Sequence, residues 1–148
     1  FNIFMNTIDY IKFLPSDNYY YLYFLICTII IFLYSRFRCL NLKNYKDPLK
    51  KSFYKKYKLD GWSSTHLIFY LLIGYLYPNT FLLTFIFGVI WELFETYIQI
   101  YEPTLFKNWG FCETSDGKLK KKWWYGKKSD IFVNTFGFLL GKYLSKLI

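Results

Sequence analysis

Apolar residues in this chain come in long blocks separated by short basic stretches, and the length of the blocks predicts helices rather than strands. The clearest block, YYYLYFLICTIIIFLYS at 19–35, runs 17 residues without a charge, close to the lower limit for crossing roughly 30 Å of hydrocarbon. Ahead of it, FNIFMNTIDYIKFLPSD places Ile3, Phe4, Ile8 and Ile11 at helical spacing and stops at Pro15. That stretch predicts a short helix lying along a membrane interface. Lacking a basic start and a small-residue cleavage site, it does not read as a signal peptide. The blocks at 62–77 and 80–101 are separated only by Pro78 and Asn79, which predicts a tight hairpin. A last block covers 130–147. The expectation is an all-α, polytopic membrane bundle of about four transmembrane helices (about 19–35, 62–77, 80–101 and 130–147), forming a single domain over 1–148 and integral to an unspecified membrane.

Composition strengthens the membrane reading. A content of 54% hydrophobic and 26% aromatic residues exceeds what a core of this size absorbs, so the surplus must face something other than water. The polar stretches are basic: residues 36–60 carry nine Lys or Arg against two Asp, and 102–129 is again rich in Lys. Both lie on one side of the predicted topology, which the positive-inside rule sets in the cytoplasm. Basic residues interleaved with aromatics are also a nucleic-acid pattern, but beside spans they set topology and meet anionic headgroups, so no nucleic-acid partner is expected. Cys27, Cys39 and Cys112 show neither zinc spacing nor an even count and are expected to be inert thiols. Trp62, Trp109, Trp123 and Trp124 are expected to form an interfacial belt.

The polar residues inside the predicted spans are few, and the topology sets them at one depth. His66 lies near the start of the second span, Glu92 and Glu95 in the third, Asp130 and Asn134 at the mouth of the fourth. Glu92 and Glu95 are i and i+3, Asp130 and Asn134 i and i+4, so each pair projects from one side of its helix. An ionisable residue inside a span costs about 3 kcal/mol on insertion scales. A divalent metal held by Glu92, Glu95 and Asp130, with Asn134 as a further oxygen donor, would account for all of them. His66 would serve as a fifth ligand or as a general base. The structural alternatives are protonated, hydrogen-bonded glutamates, a satisfied interface histidine, and Asp130 as the N-cap of the last helix. Gly137 and Gly141 predict close helix packing. Lys127 and Lys128 would be solvated or would hold a lipid phosphate.

These residues resemble a known family. His66, the WELFE at 91–95, the Trp-Trp at 123 and 124, and Asp130 six residues beyond are similar to the core of the eukaryotic base-exchange phosphatidylserine synthases, over residues about 60–145. The resemblance implies His66 as catalytic base, Glu92, Glu95 and Asp130 as calcium or substrate ligands, and Asn134 as a supporting group. It implies a phospholipid substrate whose headgroup is exchanged. In the last span, DIFVNTFGFLLG is instead similar in spacing to VanZ-like membrane proteins, which implies a lipid-headgroup-binding protein or a small subunit with membrane protein partners.

Overall fold

A computed structural model describes residues 17–41, 47–57, 59–113 and 119–147. The expected interfacial helix over 1–15 lies outside the described residues. Four helices dominate: α1 Asp17–Leu40, α2 Gly61–Leu76, α3 Phe81–Tyr101 and α4 Lys128–Leu144. Local sequence explains their ends. Asp60 caps α2 by accepting the Ser63 N–H at 3.1 Å. Pro78 stops α2, and α3 closes with Glu102 in the left-handed region just before Pro103.

Among the described residues two helices, α1 and α3, are long and apolar enough to cross a membrane. α2 and α4 have 16 and 17 residues, a rise of about 24–26 Å at 1.5 Å per residue. The segments between the helices are not all irregular, as the all-α expectation had them. Strands β1 Ser52–Tyr54 and β2 Leu59–Asp60 pair antiparallel, as do β3 Phe111–Glu113 and β4 Leu119–Lys122.

α2 and α4 run parallel and touch through glycines. A Cβ on Gly137 would lie 2.7 Å from the Leu67 carbonyl, and Cβ atoms on Gly74 and Gly141 would meet the Phe138 and Leu71 carbonyls, so the packing role read from GFLLG holds. α3 lies antiparallel to both, with Phe81 against Phe138 and Glu92 reaching the start of α4. α1 is tied at its two ends. Near its start, Tyr20 hydrogen-bonds Thr84 at 2.9 Å and packs on Tyr77. Near its end, Phe32 packs on Trp124 and Arg36 donates to the Asn108 carbonyl at 3.2 Å.

Two sequence expectations are corrected at this end. Trp123 and Trp124 are 5% and 1% exposed; with Ile98 and Phe111 they form a second core rather than an outward belt. The reason is polar as well as apolar: the Trp123 and Trp62 indoles both donate to the buried Asp47 carboxylate, at 3.0 and 3.2 Å, and Trp124 donates to the Trp109 carbonyl at 2.6 Å. Cys39 and Cys112 are also not inert thiols. They form a disulfide across 73 residues, joining the end of α1 to β3, while Cys27 stays free. Disulfides persist in oxidising compartments, so this bond conflicts with a cytosolic setting for the basic face. Cys112→Ser is expected to cost about 2–5 kcal/mol, read as a lower thermal midpoint in detergent. A wild-type midpoint insensitive to reductant would show that the bond does not support the fold.

Candidate functional site

The helix geometry brings four of the five predicted polar residues together. One ligand atom each from His66, Glu92 and Asp130 lie within 4.8 Å of one another, contributed by α2, α3 and α4. Glu92 and Asp130 are 4% and 3% exposed. Asn134, one turn below Asp130, accepts a hydrogen bond from His66 Nδ1 through its Oδ1 at 2.9 Å. With Asn134 Oδ1 as the acceptor, the Nδ1 proton is assigned and Nε2 keeps its lone pair. His66 Nδ1 also stands 3.8 Å from Glu92 Oε1, a fully buried oxygen with no hydrogen-bond partner among the described residues.

Glu95 does not join this group. It lies one turn along α3 and lines an open cavity of about 760 Å³ between α1, α2, α3 and the Trp123–Tyr125 segment. His66 and Asp130 line the same cavity, whose walls are otherwise apolar and aromatic, among them Phe24, Phe69, Phe87 and Trp91. Two members of the cluster, His66 and Asp130, therefore open onto a largely apolar chamber, the usual build of a ligand site. Asp130 is not the N-cap of α4: Lys127 takes the cap position and Asp130 sits inside the first turn, where its charge still favours the helix dipole.

The sequence reading missed the shell that holds these groups. Ser63 Oγ donates to Asp130 Oδ1 at 2.7 Å, and the Lys127 backbone N–H donates to Glu92 Oε2 at 2.8 Å. The Lys127 ammonium, expected to be solvated or bound to a lipid phosphate, instead pairs with Asp60 Oδ2 at 2.6 Å, and the Tyr125 hydroxyl donates to the same oxygen at 2.9 Å. Burial would raise the Asp60 pKa, but the bonds from Lys127, Ser63 and Tyr125 outweigh it and hold the carboxyl below its ordinary value. The only signal for Asp60 in the sequence is the D-G-W-S start of α2, an N-cap pattern.

Two ammoniums flank the Tyr125 ring, Lys127 at 4.5 Å and Lys50 at 4.6 Å from its centre. Burial, reinforced by the Arg38 charge, pulls the Lys50 pKa down to about 8. A lysine with a folded pKa below its unfolded value near 10.4 binds fewer protons folded than unfolded between those limits. Its contribution to stability therefore rises as pH climbs from about 8 toward 10. Wild-type protein should gain thermal stability relative to Lys50→Met between pH 7.5 and 9.5; parallel curves would refute the buried ammonium.

The fold and site together define a mostly helical protein with a largely buried His–Glu–Asp cluster, two members of which line an apolar chamber. Comparison of the chain with family models, curated proteins and solved structures found no match.

Proposed function

We propose that the chain is a polytopic membrane protein in which all four helices lie in the bilayer, and that it exchanges the headgroup of a phospholipid at a site holding a divalent cation. The observation that carries this reading is the convergence of His66, Glu92 and Asp130 within 4.8 Å, beside the apolar chamber that His66 and Asp130 line. Such a chamber suits a substrate whose tails stay apolar while its phosphodiester meets the cluster.

The donor set fits a divalent cation: two buried carboxylates face one point, and among the described residues Glu92 Oε1 has no hydrogen-bond partner. Calcium is the ion implied by the resemblance, while the imidazole in the cluster would also suit manganese. Bound there, the cation would offset charge developing on the phosphate oxygens.

The chain's own residues would do the proton transfer. With Nδ1–H held by Asn134 Oδ1, His66 presents Nε2 as a base. It takes the proton of an incoming alcohol such as the serine hydroxyl while that oxygen bonds to phosphorus. The bond from phosphorus to the choline or ethanolamine oxygen breaks, and Nε2 returns the proton to the leaving alcohol. No nucleotide enters this balance.

The test is exchange by purified protein in liposomes of phosphatidylcholine and phosphatidylethanolamine with labelled serine, with calcium or manganese present or chelated. Cation-dependent labelled phosphatidylserine is expected. No product from folded protein would overturn the enzyme reading. It would favour the second reading, a VanZ-like headgroup-binding protein or subunit with protein partners, which the four-residue spacing of Asp130 and Asn134 supports.

A further inference from the structure

Asp60 touches neither the chamber nor the cluster, yet two short chains of contacts run from its carboxylate and end on the two acidic members of the cluster. In one, Asp60 Oδ2 holds the Lys127 ammonium at 2.6 Å, and the backbone N–H of Lys127 holds Glu92 Oε2 at 2.8 Å. In the other, Asp60 Oδ1 accepts the Ser63 N–H at 3.1 Å, and the Ser63 hydroxyl holds Asp130 Oδ1 at 2.7 Å. The Tyr125 hydroxyl, at 2.9 Å from Oδ2, completes the grip. Asp60 is 6% exposed, so these bonds are shielded from water and strong for their length.

We propose that Asp60 is a positioning residue: through Lys127 and Ser63 it sets the separation and aim of the Glu92 and Asp130 carboxylates, and so the affinity of the cluster for a divalent cation. The inference rests on the cation-site reading above, and deepens it by naming a residue that neither the polar-span pattern nor the resemblance marks.

The physical basis is that each cluster carboxylate has one oxygen fixed. Glu92 Oε2 is fixed by the N–H at the start of α4, and Asp130 Oδ1 by Ser63. Ser63 lies in the first turn of α2, capped by Asp60, and Lys127 stands at the cap position of α4. Asp60 therefore ties the beginnings of two helices together at the level of the site. Loss of the ion pair would leave Lys127 free to turn away and carry its backbone N–H with it. Residues that orient ligands in this way are worth about 10–100-fold in metal affinity.

The experiment titrates manganese(II) into purified protein, following bound ion by electron paramagnetic resonance, with the thermal midpoint in chelator measured alongside. Glu92→Gln marks the site and should abolish high-affinity binding. Asp60→Asn, which keeps the Ser63 cap but loses the Lys127 ion pair, should weaken binding about 10–100-fold with little change in the chelated midpoint. Should Asp60→Asn lower that midpoint sharply, Lys127→Met decides, because it breaks the ion pair but keeps the backbone N–H and the α2 cap. Weakened binding in Lys127→Met supports the inference. Wild-type affinity in a well-folded Asp60→Asn, or in Lys127→Met where that variant decides, overturns it and leaves the cation site standing. No binding by wild type, or full binding by Glu92→Gln, overturns the cation site and the inference together.

Discussion

His66→Ala is expected to lower headgroup exchange by about 10²–10⁴-fold, the range for removing a positioned general base, while manganese or calcium affinity persists. The separation follows from the geometry. The imidazole is anchored through Nδ1 to Asn134 at 2.9 Å, whereas the carboxylates of Glu92 and Asp130 are fixed by Lys127 N and Ser63 Oγ, bonds that alanine at 66 leaves intact. A base and a ligand therefore make different predictions for the same variant. If exchange falls and cation binding survives, His66 is the base. If cation binding falls in step, His66 is a ligand, as its place within the 4.8 Å group also allows geometrically. Exchange within threefold of wild type would remove it from the reaction.

How much of this was legible in the sequence depends on the kind of interaction. The four helices were readable because each is written in a continuous apolar block bounded by Pro or by charge. The expected block at 80–101 and the observed α3, Phe81–Tyr101, differ by a residue. The meeting of His66, Glu92, Asp130 and Asn134 was readable because helix period and alternating direction fix depth and face without knowledge of the loops. The turn at Pro78 and Asn79 joins α2 to α3 as expected; what failed was what the long connections carry. The burial of Trp123 depends on Asp47, 76 residues away, and nothing local to either position announces the pair. The Cys39–Cys112 bond likewise depends on where β3 returns. Asp60 goes unmarked in the sequence reading: it caps α2, and its link to the site needs Lys127, 67 residues on. Spacing, depth and the WELFE resemblance all group Glu95 with Glu92, yet only Glu92 joins the cluster. Neighbouring positions on one helix face still diverge when one side chain finds a backbone donor in α4 and the other faces the chamber.

The glycines of the α2–α4 interface should be the least tolerant positions in the molecule. Gly141→Ala is expected to destabilise the protein by about 1–3 kcal/mol or more, because the added Cβ meets the Leu71 carbonyl and comes within 2.8 Å of the Tyr75 N–H nitrogen. Both are backbone atoms of a packed helix and cannot rotate aside. Gly88→Ala is the informative comparison. Its Cβ would stand 2.9 Å from the Tyr70 hydroxyl and 3.3 Å from Asn134 Nδ2, which are side-chain ends able to shift, so the thermal midpoint should fall less. The functional consequence also differs. Asp130, Asn134, Gly137 and Gly141 follow one another at spacings of four, three and four, a single stripe of α4 facing α2. Spreading the helices at Gly141 therefore moves Asp130 away from Ser63 and Asn134 away from His66, and cation affinity should fall together with stability. A Gly141→Ala protein with an unchanged midpoint and unchanged manganese binding would mean that α2 and α4 are not in backbone contact. The cluster would then need some other means of registering its two halves.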